Sequence, residues 1–127
     1  MAAADTFTLF VYGTLMRGGV RRHCLAGQRF LREARTLPHY ALFDLGTYPA
    51  MVRREGDGRA VAGELYEVAV SLLPTLDREE DAPTLYRLEP IAIEGWDGSA
   101  SAYIYQQTVE GTSLCPGDRW VHREGRR

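Results

Sequence analysis

Along residues 6–12 the side chains of Phe7, Leu9 and Val11 alternate with those of Thr6, Thr8, Phe10 and Tyr12, and both sides become apolar toward the end. A segment apolar on both sides is covered on both, which predicts a strand inside a sheet rather than at its surface. Past Gly18-Gly19, VRRHCLAG (20–27) supports one or two helical turns, with Gly27 placed to end them. QRFLREARTL (28–37), YALFDLG (40–46) and PAMVRRE (49–55) then read as short strands. Gly56-Asp57-Gly58 has the composition of a hairpin turn and leads into another strand, AVAGELYEV (60–68). Ser71 is positioned to N-cap a helix over LLPTLDREE (72–80), where Pro74 is tolerated because it falls in the first turn. LYRLEPIAIEG (85–95) and SASAYIYQQTV (99–109) are strands joined around Trp96-Asp97-Gly98, and CPGDRWVH (115–122) closes the pattern as a loop or short strand.

One helix of substance among many short strands predicts an α+β fold with mainly antiparallel pairing, in a single domain over residues 1–127. The strand number and dense turns favour a sheet curled toward a barrel. Composition changes little: 45% hydrophobic and 25% charged residues describe an ordinary globular chain. Charge excludes more. A net charge of −2 argues against a general nucleic-acid binder. All 15 basic residues are arginine, so a Schiff-base lysine, a phosphate-loop lysine and a lysine general base are all ruled out. The cysteines, Cys24 and Cys115, are far apart and form no CxxC pair, which fits a reduced compartment. MAAADTF lacks the features of a signal peptide, and no stretch approaches the ~18 apolar residues of a membrane span. The expectation is a cytoplasmic protein with no membrane or nucleic-acid partner.

Two features could carry chemistry. The strand exit Tyr12-Gly13-Thr14-Leu15 is either a plain turn or a loop whose N–H groups hold an anion. The second is the carboxylate cluster Asp77, Glu79, Glu80, Asp81 at the end of the helix, where negative charge opposes the helix dipole. With about 100° per residue, Glu80 lies about 33° from the centre of the apolar stripe Leu72, Leu73, Leu76, and Glu79 about 67°, while Asp81 points away. Glu80 therefore projects from the buried face, either as a general acid or base or as a structural partner for an arginine or a backbone N–H. The competing sites are weaker. His23, His39 and His122 have no metal-ligand spacing. Cys24 and His23 are adjacent on a helical turn and point about 100° apart, so Cys24 reads as a packed small side chain. Asp77 and Glu80, one turn apart, do not face each other across a substrate as a glycosidase pair does.

Loop and carboxylate together identify a resemblance. FVYGTLMRG (10–18), LGTYPAMV (45–52), VAGELYEV (61–68), LDREEDAPTLYRL (76–88) and AYIY (102–105) occur in the order seen in the γ-glutamylcyclotransferase-like superfamily and span nearly the whole chain. That superfamily includes γ-glutamylamine cyclotransferases, plant avirulence-induced proteins and the butirosin-pathway deprotecting enzyme. The first and fourth segments are the specific ones. The resemblance implies a small mixed β-barrel with flanking short helices, acting without metal or organic cofactor on a small-molecule γ-glutamyl substrate. It implies that Tyr12, Gly13, Thr14 and Leu15 bind the γ-glutamyl α-carboxylate and amino groups, that Glu80 rather than Glu79 is the acid/base, and that Tyr86 lines the site. One departure stands out: the family's glycine after the glutamate is Asp81 here, and aspartate takes a left-handed, helix-ending conformation only at some cost.

The implied reaction is cyclisation of a γ-glutamyl amide to 5-oxoproline with release of an amine. Two alternatives belong to other classes: a binding module that keeps the loop without catalysis, and a carboxylate-based hydrolase that releases free glutamate.

Overall fold

The computed structural model describes residues 5–13, 15–17 and 22–120. In chain order the elements are β1 (Thr6–Val11), a 3-10 turn (Arg22–Leu25), β2 (Arg29–Arg35), β3 (Tyr40–Asp44), β4 (Pro49–Arg53) and β5 (Ala62–Ala69). There follow a second 3-10 turn (Val70–Leu72), α1 (Leu73–Glu79), β6 (Tyr86–Ile91), β7 (Ala100–Tyr105) and β8 (Ser113–Leu114). The strands form a five-stranded sheet in the order β2-β5-β1-β7-β6 and a three-stranded sheet in the order β4-β3-β8. β1 lies at the centre of the larger sheet, antiparallel to β5 and parallel to β7. All other pairings are antiparallel.

The central position of β1 explains its two apolar sides. Phe10 and Tyr12 join Tyr40, Leu42, Met51, Leu65 and Ile104 in a core between the sheets. Leu9 and Val11 face the other way, against Leu25, Tyr66, Leu76 and Tyr103. This second core is roofed by α1 and the first 3-10 turn. Each buried Leu or Phe contributes roughly 1.5–3 kcal/mol relative to exposure, so β1 carries an outsized share of the hydrophobic stabilisation.

Three expectations are corrected. The sheets are not closed into a barrel. The edge strands β2 and β6 meet at their ends, where Glu94 N–H donates to the Arg35 carbonyl (2.9 Å) and Leu37 N–H to the Ala92 carbonyl (3.0 Å). Along its length β2 exposes Arg29, Arg32, Glu33 and Arg35, and β6 carries Pro90, which has no N–H to donate. Among the described residues, the isolated bridges Thr36↔Ile93 and Tyr40↔Arg59 lie outside the named strands. Second, Gly56-Asp57-Gly58 is a turn, with Gly56 at φ 95°, but not a hairpin, because β4 pairs with β3 and β5 with β1 and β2. Third, Ser71 does not cap α1. The 3-10 turn precedes the helix directly, the capping position is Leu72, and no side chain caps it. The last strand is Ser113–Leu114, just before the segment expected to close the pattern.

Candidate active site

A small, open cleft lies where β1 ends. Its walls are Phe10, Val11, Tyr12, Gly13 and Leu15 from β1 and its exit, Tyr48 and Pro49 at the start of β4, Glu80 after α1, Tyr86 on β6 and Tyr103 on β7. The cleft thus brings together Tyr12, Gly13, Leu15, Glu80 and Tyr86; Thr14 lies outside the described residues. Geometry explains its position. β1 stops at Val11 while its parallel neighbour β7 continues past it, so the cleft lies at the end of β1, beside β7 and Glu80, which follows α1.

Glu80 is only 6% exposed, whereas Glu79 and Asp81 on either side are exposed, as the helical projection predicts. Leu76, one turn earlier, is fully buried and sets the face. The helix then stops in a defined way. Asp81 N–H donates to the Arg78 carbonyl (3.3 Å) and Ala82 N–H to the Asp77 carbonyl (2.9 Å), with Asp81 at φ 54°. This is a Schellman arrangement, with Asp81 in the left-handed position usually held by glycine. Aspartate is among the few side chains enriched there. Glu80 is therefore the last residue before the reversal, which points its side chain into the cleft.

The phenols around Glu80 are tied to the framework. Tyr12 OH donates to the Tyr103 carbonyl (2.5 Å), Tyr86 OH to the Pro49 carbonyl (2.7 Å) and Tyr103 OH to the Asp77 carboxylate (2.7 Å). Burial pushes the Tyr12 phenol well above its ordinary range, and the neighbouring Tyr86 and Glu80 push the same way. Tyr103 is also raised, by burial first and then by Asp77 and Glu80. Both phenols stay neutral at any ordinary pH. The described lining carries one carboxylate, Glu80, and no basic side chain.

Gly13 has a structural reason beyond ligand approach. A Cβ there would sit 2.7 Å from Cγ and Cδ of Pro49, so the missing side chain lets β4 close against the loop. Met16 N–H donates to the Gly13 carbonyl (3.0 Å), which ties the two described sides of the loop together. The sequence does not single out Tyr48, Pro49 and Tyr103, although LGTYPAMV and AYIY contain them. Strand alternation says which residues share a face but not which end of the face opens.

The weaker candidates stay apart from the cleft. Cys24 Sγ is 3.8 Å from His23 Nε2, yet neither lines the cleft. His122 lies outside the described residues. Among the described residues there is no cluster of three or more His, Cys, Asp or Glu suited to a metal ion, and no helix long and apolar enough to cross a membrane.

The family described as gamma-glutamyl cyclotransferase, AIG2-like, matches residues 9–122. A provisionally named gamma-glutamylcyclotransferase of Vibrio cholerae is 42% identical over 115 residues, covering 91% of this chain and 96% of that one. The gamma-glutamylaminecyclotransferase of Bos taurus is 34% identical over 124 residues, covering 90% of this chain and 70% of that one. Among solved structures, an AIG2-like protein of Mus musculus superposes with a TM-score of 0.82 at 24% identity, covering 96% of this chain and 92% of that one. The sequence match, the shared fold and the cleft at the end of β1 converge: the chain belongs to the AIG2-like gamma-glutamylcyclotransferase family.

Proposed function

We propose that the chain cyclises a γ-glutamyl amine or peptide to 5-oxoproline and releases the amine, with Glu80 as general acid and base. The observation that carries this reading is a buried carboxylate on the same small cleft as the Tyr12–Gly13 exit of β1. Such a substrate carries its own nucleophile, the α-amino group. The enzyme's task is to fold the substrate so that this nitrogen meets the side-chain carbonyl, which converts binding into proximity. Glu80 takes a proton from the α-ammonium, the freed nitrogen attacks the γ-carbonyl carbon, and the bond to the leaving nitrogen breaks as that nitrogen is protonated. Of the protons on the α-ammonium, one stays on the lactam nitrogen and the others pass to the leaving nitrogen, which departs as an ammonium. Glu80 ends as it began. Main-chain N–H groups of the loop at Gly13 and Leu15 hold the α-carboxylate or the developing oxyanion, the role a basic side chain would otherwise fill. Tyr12 and Tyr86 wall the γ-glutamyl group, and the Tyr12 phenol, kept neutral by its burial, adds no charge to compete with Glu80 for the ammonium.

The test is release of 5-oxoproline from a panel of γ-glutamyl amines and dipeptides. Glu80→Gln keeps the volume but cannot shuttle a proton, and should lower kcat by about 10²–10⁴-fold, while Glu79→Gln stays within a few-fold of wild type. N-acetylated substrates should not react at all. Free glutamate as the product would establish a hydrolase instead, and 5-oxoproline binding without turnover a binding module.

A further inference from the structure

On β5, Glu64 is paired with Val11 of β1 on one side and with Glu33 of β2 on the other. Two carboxylates directly opposite each other on neighbouring strands repel, and Glu64 is only 7% exposed, so the pair demands a cation. That cation is Arg17, from the loop that leaves the cleft. Its Nε donates to Glu64 Oε2 (3.0 Å), its NH2 group to Glu33 Oε2 (3.2 Å), and its guanidinium lies 4.0 Å over the Phe30 ring. The other oxygen of Glu64 accepts the main-chain N–H of the same residue, Arg17, at 2.9 Å. One carboxylate therefore holds both the backbone and the side chain of Arg17, the residue after Met16, whose N–H is bonded to the Gly13 carbonyl. The loop is fixed at its other end by β1, whose last residue, Val11, is the cross-strand partner of Glu64.

We infer that Glu64, away from the cleft, is a positioning residue: through Arg17 it sets the conformation of the 12–17 loop and thereby the affinity of the cleft for its ligand. The inference rests on the cyclotransferase reading for the identity of that ligand. A loop that binds through main-chain N–H groups has no side-chain freedom with which to adapt, so its affinity depends on being held in the bound shape beforehand. The clamp acts on the loop's hold on the α-carboxylate, and Glu80 sits on a different element, so the clamp should govern binding and leave the proton transfer alone.

The experiment compares Glu64→Leu, which removes both interactions, with Glu64→Gln, whose amide oxygen can still accept the Arg17 N–H. Glu64→Leu should raise KM and weaken 5-oxoproline binding by about tenfold, the scale of one charge-assisted hydrogen bond, with kcat within about threefold. Glu64→Gln should recover most of that loss. Amide hydrogen exchange should quicken at residues 13–17 in Glu64→Leu while β1 and β5 keep their protection. Unchanged affinity, equal effects of Leu and Gln, or exchange quickened equally through β1 and β5 would each overturn the clamp. If Glu64→Leu does not fold, the exposed Arg17→Met decides: raised KM with faster exchange in the loop supports the clamp, and wild-type values for both overturn it. If the wild-type protein neither binds 5-oxoproline nor turns over any substrate, the cyclotransferase reading fails. The exchange pattern at 13–17 then decides the clamp by itself.

Discussion

Tyr103 shows how much a single side chain coordinates. Its carbonyl accepts from Tyr12, its hydroxyl donates to Asp77 on α1, and its ring faces the cleft. It thus joins β1, β7 and the helix that presents Glu80. Because folding raises the phenol pKa of Tyr12 and Tyr103, the folded chain keeps protons that the unfolded chain releases near pH 10. Stability from these groups is complete below that pH and declines as pH rises beyond it. Tyr103→Phe should make this alkaline decline shallower, while costing about 1 kcal/mol at neutral pH through the lost bond to Asp77. Urea unfolding between pH 8 and pH 11 checks both, and an unchanged alkaline slope would show that Tyr103 does not contribute. Glu80, Tyr12 and Tyr86 were legible in the sequence because they sit in contiguous, ordered motifs. Tyr103 was not, because its role depends on where β7 runs relative to the end of β1.

The end of α1 is an element-scale device. Left-handed backbone costs a side chain roughly 1–2 kcal/mol, and glycine relieves this while adding conformational entropy to the unfolded chain. Asp81→Gly should therefore be neutral to stabilising by up to about 1 kcal/mol, and Asp81→Ala destabilising by about 1 kcal/mol, since alanine lacks even a local polar contact. Thermal unfolding of the two variants gives the comparison; equal melting temperatures would mean that the φ of 54° carries no strain. Glu80 lies before the reversal, so Asp81→Gly should leave kcat within a few-fold. At this scale the sequence was a good guide to element type and a poorer one to ends. The apolar stripe Leu72, Leu73, Leu76 located the face of α1 and the inward turn of Glu80. Ser71 misled because a 3-10 turn occupies the place of a cap, and Gly56-Asp57-Gly58 misled because local turn chemistry does not reveal which distant strand the chain returns to.

For the whole molecule, fold class followed from the run of short strands around one helix, whereas the division of the strands between two sheets left no mark in the local pattern. Pairings between distant segments decide the rest. The order β2-β5-β1-β7-β6 puts the first strand of the chain in the middle of the larger sheet. Its partners are β5 and β7, the latter not begun until Ala100. During synthesis β1 can gain one neighbour once β5 has emerged, but its second edge, with Leu9 opposite Ser101, stays bare until β7 has been made. Contacts so distant in sequence are slow to form, and an unpaired apolar edge is the surface on which chains associate wrongly. A chain ending at Gly98 should therefore collect in aggregates on expression, and recovery of a soluble monomer would refute this. The cleft shares the same timetable: one of its walls, Tyr103, belongs to β7, so a chain made only as far as β6 can bury much of its core while the cleft still lacks a wall.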